Sequence, residues 1–338
     1  MKEQPLPSKE RPKSRTDITV HEPQTLTMVD KQLKHQRYLQ AATSENTRKT
    51  YRSAVMHFER WGGYLPTDKE TLIRYLLDHA DSLNPRTLDV RLTALSQWHQ
   101  YQGFNDPCKN PEITKTMKGI RRIHGKPKRK AKALRLEHLA TMLEHLNKLP
   151  KSNKKLRDLA IVQIGYFGAF RRSELVNIGI EDLSWEPEGL IINLPKSKTD
   201  QNGEGLTRAI PFGPEKICPV KSIKKWIIHS GIETGPVFRP INRWDQIKDK
   251  ALIPSAINDL LKSLGSECKF DFVPDISSHS FRRGMTTSAS REGVDFKSIK
   301  NQGGWKSDAI VSEYVDEGKM FENNAASTLL NKMNTLLS

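Results

Sequence analysis

Cysteine is scarce in this chain. Cys108, Cys218 and Cys268 are the three present in 338 residues, they stand far apart, and no CxxC pair occurs. That argues against a zinc knuckle or a disulfide framework and fits a reducing compartment. Long apolar runs are also missing, since none approaches the ~20 residues of a membrane span. The opening stretch, MKEQPLPSKERPKSRTD, has no hydrophobic segment and does not read as a secretory signal. Its polar, proline-containing composition predicts disorder over residues 1–25. There is no GxxxxGK[ST] phosphate loop, no acidic cluster spaced for two metal ions and no internal repeat. A P-loop ATPase, a two-metal nuclease and a repeat array are therefore disfavoured.

Acidic residues fall short of basic ones: 39 Asp and Glu face 55 Lys and Arg, a formal charge of +16. This exceeds what solubility requires and points to a polyanion, most often nucleic acid.

Residues 26–124 read as a run of helices. Ser44 or Asn46 can cap a helix with Tyr51, Val55, Phe58 and Trp61 on one face. TDKE at Thr67–Glu70 reads as a capping box. Asn84–Pro85 and Asn110–Pro111 each place a cap before a first-turn proline. Composition then shifts. Lys115–Arg135 holds ten Lys and Arg and no acidic residue, and Gly125 and Pro127 break any helix there. A solvated linker and a localisation signal are the bland readings. The position between two compact regions favours a linker, centred on 125–135, that lies along a phosphate backbone. Its candidate DNA contacts are Arg121, Arg122, Lys126, Lys128, Arg129, Lys130 and Lys132.

Residues 136–338 form the second region. Helical segments flank a short β section in which LIINLPKSKT and LTRAIPF are separated by DQNGEG. The predicted class is mainly α with a small antiparallel sheet. Helices are expected near Cys218–Ser230, Ser255–Leu264, His279–Glu292, Phe296–Gln302 and Asp308–Tyr314. A tail from about 317 carries an apolar face of Phe321, Leu329, Leu330, Met333, Leu336 and Leu337.

Four motifs carry chemistry. GAFRRSEL puts Arg171 and Arg172 inside an apolar stretch, near a predicted helix start that favours anions. A salt bridge from Arg171 to Glu174 is the competing reading. PKSKTDQNGEG offers Lys198 at a hairpin edge, with Lys196 as its neighbour, either to reach a leaving oxygen or simply to protect the edge. HSFRRG places His279 and Arg282 on one helix side, with Arg283 pointing elsewhere. Finally, Tyr314 follows Trp305 by nine residues in GGWKSDAIVSEY. A phenol of ordinary pKa ~10 becomes a useful nucleophile where cations gather around a phosphate. A half-buried packing tyrosine is the plainer alternative.

In this order, the four motifs resemble the tyrosine recombinase (phage integrase) family, from about Leu26 to the C-terminus. The NPRT helix and the GGW-to-Tyr stretch look more like Cre-like members than like Xer-type ones. The resemblance implies a helical core-binding domain and an α+β catalytic domain that clamp DNA between them. It implies site-specific recombination through a 3′-phosphotyrosyl link, on a double-stranded DNA site, without cofactor or metal. It further implies a homotetramer on two sites, a monomer or weak oligomer off DNA, the tail docking on a neighbouring protomer, and cytoplasmic, nucleoid-associated action. Its residues map onto Arg171 and Arg282 as phosphate clamps, Lys198 as general acid, His279 as proton-transfer aid and Glu174 as support. Tyr314 takes the place of the nucleophile. Trp305 falls where many members have His; its indole N–H can donate to a phosphate oxygen but cannot act as acid or base. Arg172 falls in a variable slot. A type IB topoisomerase-like or telomere-resolving enzyme, and a cleavage-deficient DNA-binding relative, share parts of this pattern.

Electrophoretic titration of a DNA duplex at several salt concentrations tests the charge reading. Affinity is expected to fall roughly a thousandfold or more between 50 and 200 mM salt, as six to ten phosphate contacts require. A flat dependence would contradict a linker that tracks phosphates.

Overall fold

Short polar side chains set the helix starts in the N-terminal part of the chain, whose structure is a computed structural model describing residues 27–127, 129–194, 205–319 and 325–337. Thr27 and Asp30 form a reciprocal capping box on α1, Met28–Ala41. Ser44 caps α2, Glu45–Trp61, and Asp68 caps α3, Lys69–Ala80. Thr67, expected to open the box on α3, instead donates its backbone N–H to the buried His99 Nε2 at 3.0 Å. Asn84 and Asn110 cap α4, Pro85–Gln102, and α5, Pro111–His124. Proline suits the first turn because its missing N–H has no helical partner to lose. Phe58, Tyr75, Leu88, Leu95 and Met117 meet in the core of this unit, to which α1 contributes no buried side chain.

The chain divides into two compact units after Pro127. The basic run is not all linker. Arg121 and Arg122 lie on the last turn of α5, where positive charge is favourable at the helix C-terminus, and Arg121 pairs with Asp89 at 2.7 Å. Beyond Pro127, Arg129 pairs with Asp275 and Lys130 with Glu313 at 2.5 Å.

The second unit opens with α6, Leu136–Lys148, and α7, Asn153–Phe167. Every residue of α7 from Leu156 to Tyr166 is buried, as befits a central helix covered on all sides. A five-residue helix α8, Arg172–Val176, follows. Strands β1 (Leu183–Glu186), β2 (Gly189–Leu194) and β3 (Leu206–Pro211) form an antiparallel sheet in that order. β1 escapes the sequence reading because LSWE is short and shows no alternation. Leu190, Ile192, Leu194 and Ile210 are buried, and Arg208, paired with Ile192, is buried as well.

Helices complete the unit: α9 (Pro219–Ser230), α10 (Pro254–Glu267), α11 (His279–Arg291), α12 (Phe296–Gly303), α13 (Asp308–Gly318) and α14 (Ala325–Leu337). α11 is buried from Ser280 to Ser288 and packs on α6, α7, α12 and α13. Of the tail's apolar residues, Leu329, Leu330, Met333, Leu336 and Leu337 are exposed on α14, and Phe321 lies outside the described residues. Among the described residues no helix is long and apolar enough to cross a membrane.

Gly284 lets the chain entering α6 lie directly on α11. A Cβ there would stand 1.8 Å from the Leu134 carbonyl oxygen, while the Leu134 N–H donates to Ser280 at 3.1 Å. In urea unfolding, Gly284→Ala is expected to destabilise by about 1–3 kcal/mol through overpacking. Gly119→Ala, on α5 with open space around it, is expected to be neutral or to stabilise by up to about 1 kcal/mol.

Candidate active site

Arg282 is the crosspiece of the site. It projects from the first turn of α11 and is 4% exposed. One guanidinium nitrogen donates to the carbonyl of Ala169, in the turn between α7 and α8. The other donates to the carbonyl of Gly303, at the end of α12, at 3.0 Å. Ala169 has φ 47, a left-handed conformation that strains any residue with a Cβ. That strained turn leads straight into Arg171, and the Gly303 turn leads straight into Trp305. Arg282 therefore fixes both to α11.

Arg171 is the N-cap of α8. Its backbone N–H donates to Glu174 Oε2 at 2.9 Å, and its guanidinium meets Glu174 Oε1 at 2.5 Å. The ion pair weighed from the sequence thus exists, and it holds Arg171 partly open, with 19% of the side chain exposed against 3% for Glu174. A five-residue helix is too short to supply a strong N-terminal field, so the anion-attracting element here is the guanidinium rather than the helix end. Arg172 is exposed.

Trp305 is buried beneath Arg282, whose guanidinium carbon sits 4.3 Å above the ring. Gly303 makes room for the indole, because a Cβ there would fall 1.4 Å from a ring carbon. The half-buried Tyr314 ring stands edge-on to Trp305, 6.1 Å between centroids. α13 is held along α11 at several points. Arg283 lies 5.3 Å from the Tyr314 ring centroid and pairs with Glu317. Ser290 donates to the Val315 carbonyl at 3.3 Å, and Arg291 to that of Gly318 at 3.1 Å.

Arg171, Glu174, Arg282, Trp305 and Tyr314 are thus brought together. His279 starts α11 one turn before Arg282, but it is exposed where Arg282 is buried. Lys198 and its neighbour Lys196 lie outside the described residues, as does Lys128. Arg283 does not point away, as helical spacing suggested: it is buried against Tyr314, because α13 crosses the side of α11 next to the Arg282 face. Arg208 was missed altogether. Its signal was there in LTRAIP, where it takes the inward position of an alternating strand between Leu206 and Ile210. Gln302 also went unread; its amide donates to the carbonyls of Phe167 at 2.8 Å and Ala209 at 3.2 Å, tying α12 to α7 and β3.

The site is strongly electropositive. Burial, with Arg171 close by, pushes the Arg282 guanidinium down to about 9, and Glu174 opposes the shift. Burial likewise pushes Arg208 down to about 10, against Glu174 and with Arg171. Both stay cationic at neutral pH, as guanidinium does. Among the described residues, no group of His, Cys, Asp or Glu is arranged to hold a metal ion.

Comparison with known proteins places these features in context. The description of the phage integrase family matches residues 132–320. An integrase/recombinase XerD homolog of Selenomonas ruminantium is 35% identical over 309 residues, spanning 89% of this chain and 90% of that protein. The tyrosine recombinase XerA of Pyrococcus furiosus is 26% identical, over 76% of this chain and 78% of its own. In fold, the chain is similar to the XerH site-specific recombinase bound to a palindromic difH substrate in a post-cleavage complex. That likeness has a TM-score of 0.59 at 20% identity and covers 82% of this chain and 78% of that one. It is also similar to a lambda integrase dimer bound to a core site, with a TM-score of 0.54 at 15% identity over 86% and 77% of the two chains. The relatives named here are Xer and lambda-type proteins, and the Cre-like expectation gains no support from them.

The Arg283–Glu317 pair makes the docking of α13 testable. Glu317→Gln removes the carboxylate from a guanidinium that is 8% exposed. Chemical unfolding is expected to show a loss of about 1–3 kcal/mol, the penalty of an uncompensated buried charge moderated by the half-open partner. Stability unchanged from wild type would mean that the pair does not hold the helix.

Proposed function

As a member of the phage integrase family, the chain is a tyrosine site-specific recombinase, and we propose that it breaks and rejoins DNA through a covalent 3′-phosphotyrosyl link at Tyr314. The observation that carries this reading is the Arg282 crosspiece. It sets Arg171, Trp305 and the neighbouring Tyr314 around one electropositive spot. A phosphodiester under attack gains charge on its non-bridging oxygens, and fixed cations aimed at that charge lower the barrier. Arg171 and Arg282 clamp the phosphate, and Glu174 holds Arg171 in its rotamer. Trp305 keeps the Arg282 plane in place and offers its indole N–H to a phosphate oxygen. Tyr314 attacks phosphorus, the 5′ oxygen leaves, and Lys198 and His279 serve its proton traffic. The bond energy is kept in the phosphotyrosine, so rejoining needs no nucleotide.

The basic residues around 121–132 follow the DNA backbone. Arg121, Arg129 and Lys130 make surface ion pairs in the free protein. Such pairs are worth little and exchange readily for phosphate. The exposed apolar face of α14 docks on a neighbouring protomer, giving a ring-closed tetramer on two DNA sites. The XerH and lambda integrase complexes were solved on DNA, which supports the same partner here, acting in the cytoplasm at the nucleoid.

A nicked recombination-site DNA that traps the covalent step, followed by denaturing electrophoresis, tests the reading. Wild type is expected to give an adduct that survives detergent, and Tyr314→Phe none. Arg171→Ala is expected to lose at least a hundredfold in cleavage while keeping most DNA affinity, since one clamp is comparable to one oxyanion donor at about 2.7–4 kcal/mol. Arg172→Ala is expected to cleave like wild type. An adduct persisting in Tyr314→Phe overturns the nucleophile assignment, and a larger loss from Arg172 than from Arg171 overturns the clamp assignment.

A further inference from the structure

Arg208 is a buried guanidinium with very little to hold it. It is 1% exposed, on the core-facing side of β3. Its Nε and one terminal nitrogen have no hydrogen-bond partner among the described residues. Its other terminal nitrogen makes a long bond of 3.4 Å to the carbonyl of Thr207, the residue before it. Among the described residues no carboxylate pairs with it directly. A charge so placed opposes folding, and a hydrophobic side chain of similar volume would serve the core better.

Its position gives the reason for keeping it. A Cβ on Gly304 would fall 2.2 Å from an Arg208 terminal nitrogen, so the guanidinium lies flat against the turn that carries Trp305. That turn is tied to β3 a second time by the bond from Gln302 to the Ala209 carbonyl. Arg282 reaches the same turn from the other side through Gly303. Arg208 thus feels the charges of Glu174 and Arg171, and Arg282 those of Arg171, Glu174 and Arg208.

We propose that Arg208 is a third cation of the phosphate site, a positioning residue that acts on the scissile phosphate through its field from behind the Gly303–Gly304 turn. The charge count gives the reason. Lys198 is assigned to the leaving oxygen, so around the non-bridging oxygens Arg171 and Arg282 less Glu174 leave one positive charge, which matches a phosphodiester in its ground state. Adding Arg208 makes two. The pentacoordinate transition state carries about two negative charges on its non-bridging oxygens. The extra cation therefore favours the transition state over the bound substrate, and differential binding of that kind raises the rate rather than the affinity. Being buried, Arg208 is little screened by water or salt.

This inference rests on the reading of the site as a phosphotyrosyl-forming centre, and its test separates the two. Full-length wild type, Arg208→Met and Arg208→Lys are compared for Tyr314-dependent adduct formation on nicked site DNA. Arg208→Met is expected to slow adduct formation at least tenfold with DNA affinity within about twofold of wild type. Arg208→Lys is expected to recover most of the rate. Thermal unfolding of Arg208→Met is expected at or above the wild-type temperature, because an unpartnered buried charge has gone.

Three results overturn the proposal: an unchanged rate, an Arg208→Lys protein as slow as Arg208→Met, or an Arg208→Met protein that melts lower or does not fold. The last two would make Arg208 a structural residue. A wild type that forms no Tyr314-dependent adduct would instead bring down the reading of the site itself.

Discussion

A buried guanidinium must find acceptors, and in this protein Arg282 finds them on two separate turns. Its bonds to the Ala169 and Gly303 carbonyls join segments more than a hundred residues apart in sequence. Much of the second unit is arranged to make that meeting possible. α7 is central and covered all round, so its C-terminal turn arrives at a fixed place. α11 is buried along most of its length, so Arg282 leaves it at a fixed angle. Gly303 and Gly304 have no side chains to collide with Trp305 and Arg208. Removing any one of these would not merely loosen a contact; it would strand a permanent charge in a place water does not reach.

The second consequence concerns the tyrosine. α13 carries confident local cues but little buried surface of its own, with Val311 and Gly318 as its buried residues. Its placement depends on polar ties to α11, chiefly the Arg283–Glu317 pair and two bonds to backbone carbonyls. Polar ties of this sort are directional and replaceable by solvent. They suit an element that must be accurately posed yet able to move.

Much of this was legible in the chain itself. Cap-and-proline pairs at Asn84–Pro85 and Asn110–Pro111 marked α4 and α5, because their chemistry is local. The order of Arg171, Arg282, Trp305 and Tyr314 singled out side chains that the fold brings together, because the motifs that carry them are compact. What escaped depended on tertiary packing. Arg283 was discounted on helical spacing, which describes one helix and not the second helix that crosses it. Thr67 was read as a cap, whereas the neighbouring Asp68 takes that role and His99 claims the Thr67 N–H from 32 residues away. Arg208 was overlooked because an isolated arginine in a strand is usually an edge residue. The alternation of LTRAIP hints at an inward place, and the pairing of β3 with β2 puts Arg208 in the inward row.

That row makes sheet register a chemical variable. Arg208 pairs with Ile192, and its neighbours Thr207 and Ala209 face the opposite way. Strand side chains alternate with a period of two, so a slip of one residue in β3 would exchange Arg208 for a hydroxyl or a methyl and put the guanidinium in water. The register that keeps the guanidinium inside is set by the pairing of β3 with β2. A shift of the pairing by a single residue would turn Leu206 and Ile210 outward along with Arg208, so the core and the guanidinium's place beside the Gly303–Gly304 turn are kept or lost together. Parity of the pairing is thus what keeps this charge inside.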